Sequence, residues 1–553
     1  MFISEMLSSL RRTDGSVDPL RLALSLLVAL TVFVPAIGIG LQTALAVPYP
    51  LLLLTGLVGA SYTVVVWYKG ELVVGSAVAV VILSMFNAEV PLTRPAALYP
   101  GNVVGDVVLV QVPLALLTCL ILWKGTSRSM LVAPTLTFGA FTVWSLMSAL
   151  LGAGPNTAIA LSFALYLSFG VATLVTFSWV VRDGQLPFRT LLIIFVGSVM
   201  AHVGVAIAQL LNQGTFGLTR LGEGADAIIA TATVPLVGEV GFGTFVSGFT
   251  GMSFHLANLI VLMVPMFIAL AYRTFGFRLS LGVFVLVAFG LVRATTTDAG
   301  RGGLMVAVVG FTLFVAWAYF DVIKQHARAP ASKHLVKPVF GWVGAILASI
   351  PLLVYPSSAT SQSSHTKVEN PVKGNPSNGG VGGETTRLDV LLEQLSSMSI
   401  PFFDLSNLGV RVQQYLVGFD LFFQYPLFGI GGMNYVLMAN EYGVPSRPGA
   451  DLPYPIHNIY ITVLVETGFI GFAFYTLTIG LVMLYGLRLL RDPATDRLLV
   501  AGVMGGLLGS LGFAFWDIFQ LYSVVGFIPF WLLAGGLVGE YLRVQPSSSV
   551  STS

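Results

Sequence analysis

Arg301 stands in Thr295-Thr296-Thr297-Asp298-Ala299-Gly300-Arg301-Gly302-Gly303, between two apolar runs. Small residues on both sides let a ligand approach the backbone. The residue falls at the expected N-terminus of the following helix, where amides point outward and favour anions. A guanidinium there suits a phosphate, although the same residue also reads as one that snorkels or pairs with Asp298. Arg411 lies in Arg411-Val412-Gln413-Gln414-Tyr415, where the plainer reading is the solvated face of an amphipathic helix. Arg220 has Glu223 and Asp226 close by as ion-pair partners, and Arg293 reads as structural.

His457 follows Tyr454-Pro455-Ile456 and begins an apolar run as His457-Asn458-Ile459-Tyr460. An imidazole titrates near neutrality and can take a proton from a hydroxyl. A lone interfacial His is equally an anchor. Glu466 lies nine residues on, about 13 Å deeper along a helix. At that depth an acid needs a partner; pairing with an Arg in the core is expected, and helping a proton leave is the second reading. Asp106, His202, His255 and Asp517 are scattered along apolar runs rather than aligned as a relay. No Asp-x-Asp pair stands on the outer side to hold a divalent ion, and neither a P-loop nor a G-x-S-x-G elbow occurs. Cys119 is the single cysteine, so neither a disulfide framework nor a Cys-based metal site is expected.

The elements that must position these residues are membrane helices. Of 553 residues, 56% are hydrophobic and only 9% charged, against roughly 25% charged in soluble domains. With a mean hydropathy of +0.87, the chain reads as an all-α polytopic membrane protein. A net charge of +2 without a basic stripe argues against nucleic acid as a partner. About fourteen apolar runs are long enough to span: roughly 20–40, 44–67, 71–88, 103–123, 130–152, 157–181, 189–211, 250–272, 278–294, 302–320, 338–356, 457–487, 498–516 and 521–543. The third is the shortest. Residues 1–21 are polar and start no cleavable signal, so the first run is expected to stay in the membrane. With the N-terminus in the cytoplasm, 18 of the 27 Lys and Arg fall inside and nine outside. That bias fits an even number of spans with both ends cytoplasmic.

Four units follow. Residues 1–211 are N-terminal membrane helices. Residues 212–356 hold a first outer loop and central helices. Residues 357–456 form a large outer loop, and 457–553 are C-terminal membrane helices. In the large loop, 357–386 is rich in Ser, Gly, Asn and Pro and reads as flexible, whereas 387–456 reads as ordered. Residues 387–398 pattern as a short amphipathic helix. A second helix is expected from about Asn407 to Gln424, capped by Asp404 or Ser406. It should end at Tyr425-Pro426 before a turn, Gly429-Ile430-Gly431-Gly432. The whole element is expected to lie against the outer membrane surface.

In this order the outer features resemble the O-antigen ligase and O-antigen polymerase superfamily of membrane glycosyltransferases. Three marks over roughly 215–485 carry the resemblance: Asp298-Ala299-Gly300-Arg301-Gly302-Gly303, with Gly300 where the family usually has Ser; Arg411 leading to Pro426-Leu427-Phe428-Gly429-Ile430-Gly431; and His457-Asn458-Ile459-Tyr460 followed by Glu466-Thr467-Gly468-Phe469-Ile470-Gly471. Gly248-Phe249-Thr250-Gly251 through Ala257-Asn258 also looks like the family's entry into a helix. The resemblance implies a GT-C-like fold and an inverting, metal-independent transfer without a cofactor. Glycan would move from a polyprenyl diphosphate carrier to a glycan, lipid or protein acceptor, for polysaccharide assembly at the outer face of the cytoplasmic membrane. In that scheme Arg301 and Arg411 hold the diphosphate and His457 activates the acceptor. Arg220, Gly429, Gly431, Asn458, Tyr460 and Glu466 are the supporting substrate-side candidates, Glu466 at one remove.

Within this chemistry the alternatives are a polymerase or a protein oligosaccharyltransferase. In another class, a polar-lipid or sugar transporter would require ion-coupling groups at the midplane and matched broken helices; the sequence displays neither. A structural scaffold would leave Arg301, Arg411 and His457 far apart.

Overall fold

The computed structural model describes residues 72–87, 89–91, 106–108, 110–124, 132–212, 216, 229–234, 238–243, 247–248, 250–275, 298–320, 408–442, 444, 453 and 455–545. Arg220, the stretch 357–407 with its expected short helix and caps, and the runs 20–40, 44–67, 278–294 and 338–356 lie outside them. Each of the other ten apolar runs contains a helix, the first seven being α1 Leu72–Leu83, α2 Gln111–Lys124, α3 Ala133–Leu151, α4 Thr157–Arg182, α5 Phe188–Asn212, α6 Ser253–Phe275 and α7 Asp298–Ala318. After α8 Leu408–Gln424 and α9 Tyr435–Ala439 come α10 Ile459–Arg491, α11 Arg497–Ala514, the short α12 Phe519–Tyr522 and α13 Val524–Val544. Among the described residues, seven helices are long and apolar enough to cross a membrane: α3, α4, α5, α6, α10, α11 and α13.

Two short antiparallel pairs join these helices. Strands β1 Glu89–Pro91 and β2 Asp106–Val108 pair, as do β3 Ile229–Val234 and β4 Gly238–Gly243. The second pair lies in the connection between α5 and α6, where Ile229, Thr231, Thr233 and Val234 supply β-branched residues suited to a pleated strand. The run 103–123 is therefore not one helix. Asp106 sits in β2 and α2 starts at Gln111, with Pro113 in its first turn, where a missing N–H costs nothing.

Helix α11 organises the C-terminal half. It packs on both α6 and α7, while α13 packs on α4, and α3 lies between α4 and α10. Between apolar helices in lipid the attraction is close packing rather than water exclusion, so small residues set the approach. A methyl on Gly506 would come within 2.3 Å of Leu262 O of α6, and one on Gly509 within 2.3 Å of Ala307 Cβ of α7.

The two ends of α11 differ in chemistry. Asp496 caps its N-terminus by accepting from Leu499 N, and Arg273 reaches Asp496 at 2.8 Å. Arg497 donates to Ala318 O at 3.1 Å, closing the C-terminus of α7, and Arg491 lies 4.6 Å over the Trp317 ring. This end is basic. The opposite end, about 27 Å away at the helical rise, leads into Phe515, Trp516 and Asp517.

Candidate active site

The candidate site is built around α8, which starts at Leu408 and stops at Gln424, one residue from both expected boundaries at most. Its inward face repeats at helical spacing: Gln414, Val417 and Leu421 are buried. Gly418 lies on the same face and lets α8 close on α10, since a methyl there would stand 2.9 Å from Ile456 Cδ1 and 3.4 Å from Val465 Cγ2. The other face carries Leu416, Phe419 and Phe423, the last 74% exposed.

That docking sets two functional side chains one helical turn apart. Gln414 Oε1 accepts from the backbone N–H of His457 at 3.4 Å and lies 3.3 Å from His457 Nδ1. The Tyr415 hydroxyl donates to His457 O at 3.4 Å. Three residues before Gln414, Arg411 Nη1 donates to Trp516 O at 3.3 Å, and its guanidinium carbon lies 5.7 Å from the Trp516 ring centre. Burial pushes the Tyr415 phenol up, while the Arg411 charge and a hydrogen bond with Asn458 pull it down. Burial also raises the Tyr435 phenol, whose hydroxyl donates to Gln414 O at 3.1 Å.

Trp516 joins the third element. Helix α7 begins at Asp298, so Arg301 belongs to its first turn, as expected. The neighbouring Gly302 presents its backbone to the indole: a methyl on Gly302 would lie 3.6 Å from Trp516 Cδ1 and Nε1. The first turn of α7 and the Arg411 side chain therefore share one tryptophan.

The remaining expected site residues support these three. Asn458 caps α10, accepting from Ile461 N at 3.1 Å, and the Tyr460 hydroxyl donates to Leu511 O at 2.9 Å, tying α10 to α11. Gly429 and Gly431 adopt positive φ, +67° and +80°. Their amides donate within the protein, to Tyr425 O at 2.9 Å and to Glu466 O at 2.9 Å. Together with Ile430 N, which donates to Val465 O at 3.1 Å, they dock the turn into a break in α10. The break is at Gly468, with φ +70° and ψ −177°, a region open essentially to glycine alone. From the other side Trp144 Nε1 donates to Thr467 O at 2.9 Å and Ser148 Oγ to Glu466 O at 2.8 Å.

Glu466 is fully buried, and the expected Arg partner is not what holds it among the described residues. Its Oε2 accepts from the Tyr522 hydroxyl, while Oε1 is buried without a hydrogen-bond partner among the described residues. Nearby Met433 is a non-glycine residue at φ +62°. Of the other buried polar groups, His255 Nδ1 pairs locally with Thr250 O at 2.6 Å, whereas Ser510 Oγ of α11 donates across to Asn258 Oδ1 of α6 at 2.9 Å.

Gln414, Trp516 and Tyr522 were not singled out by sequence reasoning. Gln414 could have been found from the buried-face spacing with Val417 and Leu421; Trp516 and Tyr522 carry no local signal, because their partners lie 105 and 56 residues away.

Against known families, residues 285–476 match the family model described as O-antigen ligase, and this match supports the O-antigen ligase and polymerase superfamily. The matched stretch holds Arg301, Arg411, His457 and Glu466, whereas Trp516 and Tyr522 lie beyond it. No curated protein matches the chain.

Proposed function

Taking residues 285–476 as an O-antigen ligase-like domain, we propose that this membrane protein transfers a glycan from a polyprenyl diphosphate carrier to an acceptor hydroxyl, at the outer face of the cytoplasmic membrane. The observation that carries the reading is convergence. Arg411 and the first turn of α7 flank Trp516, while the helix bearing Arg411 also holds His457 one turn away. A scaffold would give the first turn of α7, Arg411 and His457 no reason to be gathered around α8 and Trp516.

The chemistry follows from the groups. As the acceptor oxygen attacks the anomeric carbon, its proton passes to His457, and the bond from that carbon to the diphosphate oxygen breaks. The diphosphate leaves with the lipid, its growing charge met by Arg411 and Arg301. Guanidinium forks match phosphate oxygens in geometry and stay charged. Fixed charges aimed at the leaving group act most strongly where water is scarce. Arg220 is a further candidate for the same charge. Glu466 and the glycine turn hold the break in α10 and so fix where His457 stands.

Two features favour an outer-face site with a lipid-bound donor. The site lies at the end of α11 opposite the basic cluster of Arg273, Arg491 and Arg497, and positive charge marks the cytoplasmic side. The exposed Leu416, Phe419 and Phe423 face of α8 offers apolar contact beside Arg411, as a polyprenyl chain requires. About fourteen spans with both termini inside belong to the same proposal.

The test is transfer from a labelled polyprenyl diphosphate-linked glycan in membranes. Arg411→Ala is expected to lose about 100-fold or more, and His457→Ala about 100-fold to 10,000-fold. Wild-type rates in both would overturn the proposal. Chain growth on the carrier would identify a polymerase, and a single transfer a ligase.

A further inference from the structure

The orientation of the Gln414 side chain is settled by its neighbour rather than by its own shape. The atom 3.4 Å from the backbone N–H of His457 is Oε1. An amide nitrogen could not stand there, because a main-chain N–H only donates and would face a second donor. The same oxygen lies 3.3 Å from His457 Nδ1. An oxygen with no hydrogen can meet that ring nitrogen favourably only if Nδ1 carries the proton. A neutral imidazole protonated at Nδ1 has its basic lone pair on Nε2.

Gln414 is itself anchored by burial and by its main chain. Its side chain is buried at 1% exposure, its carbonyl accepts from the Tyr435 hydroxyl, and the next residue, Tyr415, donates to His457 O. Three bonds thus run from consecutive residues of α8 to one histidine, two to its main chain and one to its ring. The imidazole is fixed in both position and tautomer by a helix whose preceding turn carries Arg411.

We propose that Gln414 is a positioning residue that locks His457 in the Nδ1–H tautomer, so that Nε2 presents its lone pair to the acceptor hydroxyl. This rests on the reading of His457 as the base. During transfer the acceptor proton moves to Nε2, and the imidazolium so formed keeps its Nδ1–H bond to the Gln414 oxygen. An amide is suited to this task because it accepts from Nδ1–H before and after the proton moves and adds no charge of its own beside Arg411. A wrong tautomer or a ring turned away costs rate at the chemical step, not donor affinity.

The experiment uses the full-length protein in membranes with labelled donor. Three variants are compared per folded molecule, each checked by size-exclusion profile: Gln414→Leu, Gln414→Glu and His457→Ala. Gln414→Leu keeps the bulk and removes the acceptor oxygen; it is expected to lower kcat about 100-fold with donor KM within about twofold. Gln414→Glu keeps an acceptor oxygen at the same reach and is expected to stay within roughly fivefold of wild-type kcat. A merely structural glutamine would instead change the folded amount and leave kcat per folded molecule intact. Undiminished kcat in Gln414→Leu, or a Gln414→Glu variant as impaired as Gln414→Leu, overturns the inference. Should Gln414→Leu not fold, the Gln414→Glu outcome decides alone. If His457→Ala transfers at the wild-type rate, the reading of His457 as base fails, and this inference with it. If His457→Ala is inactive and Gln414→Leu is not, the inference alone fails.

Discussion

Trp516→Leu separates a site organised around one indole from residues that merely lie near each other. The substitution leaves the main-chain carbonyl that accepts from Arg411 and removes the ring, which Arg411 faces at 5.7 Å and which Gly302 would touch through a methyl at 3.6 Å. A cation over an indole is worth about 0.5–2 kcal/mol depending on desolvation, which is roughly 2-fold to 30-fold in affinity. Arg411 is half-buried, so a value near the middle, about tenfold weaker donor binding, is expected. The assay is the dissociation constant of the polyprenyl diphosphate donor for protein in nanodiscs, measured for wild type, Trp516→Leu, Arg411→Ala and the double variant. If the ring acts through Arg411, most of the cost of Trp516→Leu disappears once Arg411 is gone. What persists reports the contact with the α7 turn. Equal costs in both backgrounds would mean no coupling between ring and guanidinium, and would refute the claim that Trp516 positions Arg411.

Two further substitutions probe the framework. Gly468→Ala forces an alanine to φ +70° and ψ −177° with its methyl 2.0 Å from Leu427 O; at least about 1–3 kcal/mol of stability should be lost. Gly480→Ala in the same helix meets nothing within 4 Å and should be neutral or slightly stabilising; equal melting temperatures for the two variants would contradict the break in α10. Tyr522→Phe removes the hydroxyl that donates to the buried Glu466 carboxyl, and should cost about 1–3 kcal/mol. An unchanged thermal unfolding midpoint would show that Glu466 does not depend on that bond.

The local parts of the site were legible in the sequence, and the reason is that local rules govern them. Proline cannot continue a helix, so the end of α8 at Gln424 before Pro426 could be read directly. An asparagine ahead of an apolar run caps it, as Asn458 does for α10. Glycines at 429 and 431 could be recognised as a turn, whereas Gly468 stood inside the run 457–487 that reads as one unbroken helix. Where the turn docks could not be read, because it docks on carbonyls 35 residues later along the chain. Glu466 likewise looked like an acid in need of an Arg. The structure meets one of its oxygens with a phenol, a partner that leaves no charge pattern to read. The run 103–123 misled because hydropathy does not distinguish a short apolar strand from the start of a helix.

The break in α10 also explains how a site carried partly by a helix outside the seven long apolar helices can be rigid. A straight α10 would satisfy its own carbonyls and offer α8 only side-chain contact. Unwinding at Gly468 frees the carbonyls of Val465, Glu466 and Thr467, which in an apolar surrounding must find donors. Those donors come from two places, Ile430 and Gly431 of the turn after α8 and Ser148 and Trp144 of α3; in the next turn of α10 the amide of Phe469 donates outward to Pro426 O at 2.8 Å. The bonds of Ile430, Gly431 and Pro426 tie the turn after α8 to α10 through main chain, and the two side chains of α3 hold the same break from the other side. Trp144 then stacks on Phe428 at 4.9 Å, pinning the turn from outside. Because Gly429 starts only five residues after the end of α8, fixing the turn fixes the axis of α8, and with it the reach of Gln414 and Arg411. The strained glycine and the buried acid beside it therefore bear on transfer indirectly, through the angle at which α8 meets His457.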